Sequence, residues 1–386
     1  MKKRIKIKNR KKKRRMIDKR FWAAAFTLSG TLIGAGILGL PYVFSKPGFL
    51  VGLFWIVVLG LILIYAKLCL GEVSLRTKSR HQLTGYAEKY LGKTGKGLMF
   101  FAMMFGIYSA LIAYLIGEGQ SFSQLFTGSL DYAIYFAFGF WLIMTLLLNE
   151  GLKGLKKIES YGVMIILGII LIMFFWFLPD VQYSNLTYIN PGFFFIPFGV
   201  ALFALLGFSS IPEIEMELKG YEKKMKSVII VGSLIPIFVY LIFCFVFIGV
   251  LGNEITEVAT LSFGRLVTIL GIFTMLTSYF VLSFSLRDMF RLDIHSSKLF
   301  SFIVVSLIPL IIYLLISYYN FLGFIRVLGI GGVIAGGLTG ILVMFMNKSA
   351  KLKGDRKPEY VMPINWFVIL FLTVVFLSGI VVELFF

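Results

Sequence analysis

The first long apolar run of the chain is interrupted where a membrane span would ordinarily carry leucine and valine. Ser29-Gly30-Thr31-Leu32-Ile33-Gly34-Ala35-Gly36-Ile37-Leu38-Gly39-Leu40-Pro41 places four glycines and a proline within a dozen residues. Glycine inside a helix costs about 1 kcal/mol relative to alanine. Lipid satisfies no backbone N–H or C=O, so non-helical chain at membrane depth survives only where it is buried in protein or lines a cavity. The segment therefore predicts a helix broken on purpose, whose freed backbone groups hold a small polar ligand.

That this run lies in a membrane follows from composition. Of 386 residues, 59% are hydrophobic and 15% charged, which excludes a water-soluble globular chain of this length and predicts an all-α polytopic membrane protein. A bilayer core of about 30 Å demands runs of roughly 20 apolar residues. Eleven are present, near 21–44, 48–70, 97–126, 131–149, 156–178, 191–218, 227–251, 261–287, 298–317, 320–346 and 362–385. The expected organisation is a basic tail, 1–20, and one transmembrane domain, 21–386. The longest interhelical segment, about 71–96, reads as a short surface helix around Gly85–Tyr90. A basic tail followed by a full-length span is expected to be a first transmembrane helix and not a cleaved signal.

Net charge +19 raises nucleic acid as a partner, but its distribution points elsewhere. Residues 1–20 hold thirteen Lys/Arg, and the loops that end spans 2, 4, 6, 8 and 10 bring one side to 34 of the 38 basic residues. The opposite loops, around 128–131, 179–190, 252–260 and 318–319, contain none. This positive-inside asymmetry predicts a cytoplasmic N-terminus and, for eleven spans, an extracytoplasmic C-terminus. The tail is expected to meet anionic lipid. It carries no interleaved aromatic residue for base stacking, so nucleic acid is not expected. Cys69 and Cys244 lie in spans and say nothing about redox compartment.

A second break is expected in span 6. Within Pro191–Glu213, Ser210 stands three residues before Glu213 with Pro212 between them, a capping-box pattern for a helix start inside a membrane-length segment. Spans 1 and 6 are five apart and enter from opposite sides. Paired interruptions of this kind predict a 5+5 inverted repeat, spans 1–5 over about 21–178 and spans 6–10 over about 191–346, with span 11 added and a ligand site at the midplane.

The residues Gly34-Ala35-Gly36-Ile37-Leu38-Gly39-Leu40-Pro41-Tyr42 resemble the first-helix signature of the amino acid/auxin permease family of the amino acid–polyamine–organocation superfamily. Leu202-Phe203-Ala204, Ile211-Pro212-Glu213 and Glu217-Leu218-Lys219 are similar to that family's sixth helix, and Thr277-Ser278 to its eighth. The resemblance covers most of the chain. It implies the leucine-transporter fold and alternating access in the plasma membrane, driven by sodium or protons.

An amino acid is a zwitterion, and its site must pair both charges. The helix that restarts at Gly34, Ala35 and Gly36 offers N–H groups and its positive dipole end to the carboxylate. The first half of span 6 ends at Phe203, Ala204 and Leu205, whose carbonyls suit the ammonium. The ligand side chain is expected against Phe208 and whichever of Tyr108 and Tyr114 faces inward. With no fixed charge near this pocket, the expected substrate is a neutral amino acid, large aliphatic or aromatic.

For the coupling ion two readings stay open. The resemblance places sodium between the carbonyls of Gly30, Ile33 and Thr274 and the hydroxyls of Thr277 and Ser278, although some sodium-coupled members carry asparagine at the position of Gly30. Proton coupling needs a titratable intramembrane group, and Glu118 on span 3 is the candidate; it can also line an outer vestibule. Lys67 and Glu72 are expected to snorkel toward the cytoplasmic surface. Arg265 and Arg326 are expected as outer anchors or gate partners.

An enzyme is not expected. His81 and His295 lie in loops without a ligand partner at regular spacing, and no HExxH or P-loop occurs. The rivals to a carrier are an amino-acid sensor on the same fold, which would want a long soluble extension, and an ion channel, which would want a continuous polar path.

Overall fold

The computed structural model describes residues 19–150 and 155–385, so most of the tail expected over 1–20 lies outside the described residues. Long apolar segments become helices because helix formation satisfies every backbone group internally. In chain order these are α1 (Lys19–Leu32), α2 (Ala35–Ser45), α3 (Phe49–Leu75), α4 (Leu83–Thr127), α5 (Ala133–Glu150), α6 (Leu155–Phe177), a short α7 (Tyr183–Thr187), α8 (Pro197–Ala204) and α9 (Ile211–Glu217). They continue with α10 (Met225–Leu251), α11 (Arg265–Asp293), α12 (Lys298–Tyr319), α13 (Phe324–Gly331), α14 (Gly337–Lys353) and α15 (Trp366–Phe385).

Among the described residues, eight helices are long and apolar enough to cross a membrane, and nine if the bent pair α1 and α2 is one span. The segments around α5 and α6 are apolar but shorter, Ala133–Asn149 and Ile166–Asp180. Length and composition alone therefore stop short of eleven spans. The surface helix expected near Gly85–Tyr90 is the start of α4. Gly92, at φ +77°, separates it from the membrane part. Tyr86, Ala87 and Tyr90 are buried against the protein.

Burial ranks the spans by position. In the most apolar stretch of α8–α9 and of α13–α14, 78% of residues are buried, against 22% for α15. Spans 6 and 10 are thus interior and span 11 is a peripheral addition. The helix pairs α2 with α8, α3 with α10, and α4 with α11 and α14 pack together. Span 10 is itself irregular, widening into a π turn over Gly332–Gly336. A Cβ added at Gly331 would lie 2.5 Å from Ser109 Cβ and 3.6 Å from the Phe203 ring. The π turn thus lies against span 6 just before its break.

Two polar anchors hold the outer helices. The Glu383 carboxylate of α15 fills the gap between Gly199 of α8 and Gly329 of α13, where a side chain on either glycine would strike it. On the opposite side of the bundle, Glu72 is fully buried. It accepts from Arg76 Nε at 2.8 Å, Asn347 Nδ2 at 3.1 Å and Met362 N at 2.7 Å. This ties α3, α14 and the segment leading to α15 together, and corrects the expectation that Glu72 reaches the surface.

Candidate functional site

Span 1 breaks where the glycines predict. α1 ends at Leu32, α2 begins at Ala35, and their axes bend by 57°. Ile33 N still donates to Ser29 O at 3.0 Å, but Gly34 N turns back to Leu32 O at 2.9 Å. The Gly30 carbonyl thereby loses the partner that an unbroken helix would give it. At the start of α2, Ala35 N donates to the Tyr114 hydroxyl at 3.3 Å. The next N–H, that of Gly36, has no bond of its own among the described residues. These groups lie at the positive end of a helix.

Span 6 breaks more gradually. α8 ends at Ala204, Gly207 takes φ +105°, and a 3₁₀ turn over Phe208–Ser210 leads into α9. The expected capping box does not form. Ser210 is already helical in φ and ψ, and its Oγ donates back to Gly207 O at 2.8 Å. The new helix starts where expected, capped by its own turn.

The two breaks meet. A Cβ added at Gly36 would fall 2.5 Å from the Cα of Ala204, so only a glycine permits this approach. Tyr240 of α10 reaches both breaks, 2.6 Å from Leu32 O and 3.0 Å from Ala204 O. Its single O–H is shared between the carbonyls that end the two first half-helices, and Leu32 O accepts from Gly34 N as well. Nothing in the sequence singled out Tyr240, one of 18 tyrosines on an otherwise apolar helix. The π turn of span 10 was missed as well, although its glycines, Gly329, Gly331, Gly332, Gly336 and Gly337, carried a signal.

Of the two candidate tyrosines, Tyr114 is the one brought to the break. A Cβ on Gly34 would lie 2.9 Å from its hydroxyl and 3.5 Å from Ser278 Oγ. Tyr108 turns the other way and donates to Val304 O of α12 at 3.1 Å. The six-residue offset between them puts them on different faces of α4. Phe208 is buried at the span 6 break, and Leu205 N is held by Ala201 O and Leu202 O. The Phe203 carbonyl accepts from Leu206 N at 3.2 Å and the Ala204 carbonyl from Tyr240.

The cation candidates divide. Ile33 is buried in the break and Ser278 faces Gly34. Thr274 Oγ1 donates to Leu270 O at 2.8 Å, and Thr277 Oγ1 to Phe273 O at 3.0 Å and Thr274 O at 3.2 Å. Both threonines bond their own helix, which leaves the hydroxyl lone pairs available. Glu118 lies one turn beyond Tyr114 on α4 and is fully buried, and neither carboxyl oxygen has a partner among the described residues. Gly117 beside it abuts Met275 and Phe324, and Gly119 abuts Ala133. No group of three His, Cys, Asp or Glu fit to hold a metal occurs among the described residues.

On the side where span 1 begins, polar contacts close the bundle. Thr27 donates to Glu217 Oε1 at 2.9 Å, Tyr86 to Glu215 Oε2 at 3.3 Å, and Ser74 also reaches Glu215. Arg20 donates to Lys219 O at 3.0 Å. A cleft of about 830 Å³, lined by Arg20, Ala23, Met216, Glu217 and their neighbours, opens here. Lys67 does not snorkel. It is 1% exposed and its Nζ lies 3.5 Å from Ser233 Oγ. Arg265 is exposed at the start of α11, whereas Arg326 lies near Glu383.

Two broken spans whose breaks meet inside the bundle, each with freed backbone groups, form the kind of site a membrane transporter uses. The description of the tryptophan/tyrosine permease family matches residues 17–278, and the chain belongs to that family. Glutamine transporter 2 of Aliivibrio fischeri is 26% identical over 319 residues, covering 76% of this chain and 80% of that one. Tyrosine-specific transport system 1 of Haemophilus influenzae is 27% identical over 220 residues, 56% of this chain and 54% of the relative. A solved structure of MhsT in complex with L-phenylalanine shares the fold, with a TM-score of 0.65 at 17% identity over 94% of this chain and 97% of the other. The protein is a multi-pass membrane transporter of amino acids with the leucine-transporter fold. The resemblance to amino acid permeases read from the first break is borne out.

Proposed function

We propose that the protein is a plasma-membrane secondary carrier that moves neutral, large aliphatic or aromatic amino acids by cation-coupled alternating access. The observation that carries this reading is the meeting of the two breaks at Gly36 and Ala204, with donors on one side and acceptors on the other. In this reading the N–H groups of Gly34, Ala35 and Gly36 take the substrate carboxylate. The carbonyls of Phe203, Ala204 and Leu205 take the ammonium. Tyr114 and Tyr240 already hydrogen-bond groups of both breaks, so a zwitterion can exchange with hydroxyls and leave no buried polar group unpaired. The substrate side chain would lie against Phe208 and Tyr114. The named relatives move glutamine and tyrosine and the solved neighbour binds phenylalanine, all uncharged in the side chain.

Sodium is the first reading for the coupling ion, held by the carbonyls of Gly30, Ile33 and Thr274 with the hydroxyls of Thr277 and Ser278. Its support is the freed Gly30 carbonyl and the closeness of Ser278 to the break. The second reading is a proton on Glu118. An ionised carboxylate buried without a partner is costly, so such a site tolerates the protonated form. The basic loops orient the chain with its N-terminus inside, its tail on anionic lipid.

Uptake into proteoliposomes tests both parts, with the sodium and proton gradients imposed separately. Leucine, phenylalanine and tyrosine are expected to outcompete lysine and glutamate, and an inward sodium gradient to accelerate uptake. Preference for a charged amino acid would overturn the substrate class. Sodium-independent uptake driven by a pH gradient and lost in Glu118→Gln would move the coupling to the proton. Counterflow separates the carrier from a sensor or channel, since only a carrier exchanges internal for external substrate.

A further inference from the structure

Lys67 has no evident structural task, yet it is among the largest fully buried side chains. It sits on α3, eight residues from the end that carries Glu72 and Arg76. Among the described residues its sole polar neighbour is Ser233 Oγ on α10, at 3.5 Å, and no carboxylate pairs with it. The acids nearby bond elsewhere: Glu72 to Arg76, Asn347 and Met362 N, Glu215 to Ser74 and Tyr86, Glu217 to Thr27. The other titratable groups on elements packed against α3 are Tyr42 of α2, Tyr183 of α7, Glu213 of α9, Lys226, Tyr240 and Cys244 of α10, and Lys348, Lys351 and Lys353 of α14. None of them is bonded to Lys67.

An ammonium taken from water without a counter-ion costs several kcal/mol, and lysine gives up its proton readily when buried. In the packing seen here the amine's hydrogen-bond partner is the Ser233 hydroxyl. That packing depends on α1. Ser29 Oγ lies 2.9 Å from both Ala25 O and Gly232 O, and a Cβ on Gly232 would fall 2.8 Å from Ala25 O. The backbone of α10 next to Ser233 is thus pressed against α1 four to eight residues before the break. A separation of α1 from α10 would open a route for water to Ser233 and Lys67.

We propose that Lys67 is a proton-binding site that gates movement of the first half of span 1: neutral while α1 is closed on α10, protonated when they part. The inference rests on the alternating-access reading. The lone pair of the opened amine takes a proton from hydronium, forming one N–H bond and leaving water, and closure returns that proton to water. A proton that binds only the open form shifts the population toward it as pH falls.

The test uses the full-length protein with Ala24→Cys as reporter, because Ala24 of α1 is fully buried in the closed packing seen here. Alkylation by a water-soluble maleimide, corrected for the thiolate fraction in the denatured protein, is expected to accelerate about tenfold from about pH 9 to about pH 6. Lys67→Met should make the rate independent of pH, and Lys67→Arg, which keeps its charge, should label fast throughout. A Lys67→Met protein with the wild-type pH profile would overturn the proposal. If gel filtration shows that variant unfolded, Ser233→Ala takes its place. It is expected to move the midpoint of the profile, and an unmoved midpoint sinks the idea. Counterflow of labelled amino acid by the wild type is measured alongside. Its absence with pH-dependent labelling defeats the carrier reading alone, and its presence with pH-independent labelling defeats the proton site alone.

Discussion

The breaks in spans 1 and 6 do the same job with different parts. Span 1 turns sharply within two residues, and the restarting helix leaves its first N–H to the hydroxyl of Tyr114, a side chain from another span. Span 6 turns through Gly207 and a 3₁₀ turn, and its restarting helix is closed by the Ser210 hydroxyl from within. The donor at span 1 is therefore exchangeable, whereas the Ser210 hydroxyl at span 6 is already spent on the Gly207 carbonyl. The carbonyl ends of both first halves share one hydroxyl, that of Tyr240. In the proposed reading the carboxylate of a zwitterion therefore goes to span 1.

The largest expected effect comes from separating the breaks. Gly36→Ala sets a methyl 2.5 Å from the Ala204 backbone, and overpacking of this kind costs about 1–3 kcal/mol. Uptake should fall to background with a lower thermal midpoint, and uptake within about twofold of wild type would mean that the breaks do not need to touch. Tyr240→Phe comes next. It removes the hydroxyl partner of the buried Ala204 carbonyl, while Leu32 O keeps its bond from Gly34 N. The loss costs about 1–3 kcal/mol and should lower thermal stability more than Tyr114→Phe does. Tyr114→Phe removes one partner of one N–H, about 1 kcal/mol, and should appear mainly as a raised KM for uptake. If the two variants exchange these phenotypes, the division between a structural and an exchangeable hydroxyl is wrong.

Ser210→Ala tests the internal cap of span 6. About 0.5–1.5 kcal/mol of stability should be lost, with KM unchanged. The smallest effect serves as a control far from both breaks. Asp355 accepts from Lys89 and from Lys78 N at 3.0 Å, and these bonds hold its carboxyl below the ordinary carboxylate range. A carboxyl lowered on folding stabilises above its unfolded value, near about 3.9, and loses that contribution as pH falls through the folded one. The small stability margin of wild type over Asp355→Asn should vanish on acidification below about pH 4, with uptake at neutral pH equal in the two.

The backbone of the site was legible in the sequence, and its side chains were not. Glycine and proline announce a break because their cost has no other justification in lipid, so Gly34 and Gly36 could be placed without coordinates. Which tyrosine faces inward depends on the rotation of α4, which the spacing of the two tyrosines alone does not fix. Tyr114 and Tyr108 therefore stayed equivalent until packing separated them. Lys67 was misread for the opposite reason. A lysine near a helix end ordinarily reaches water, and only the crowding of α10 against α1 shows that this one cannot. The Ser210 pattern found the right start of α9 but the wrong bond, because the 3₁₀ turn ahead of it had already rotated the serine into helical geometry.

The carboxylate of Glu383 gives the added span a mechanical meaning. Lodged between Gly199 and Gly329, it hooks a lipid-facing helix onto the two most interior ones, near the half of span 6 that leads to the break. Span 11 thus rides as an outrigger. Any tilt of that half-helix relative to span 10 must either drag α15 through the lipid or unhook it. A spectroscopic label on the outer face of α15, where Phe367 and Leu370 are exposed, would register the motion of the buried site from the surrounding bilayer.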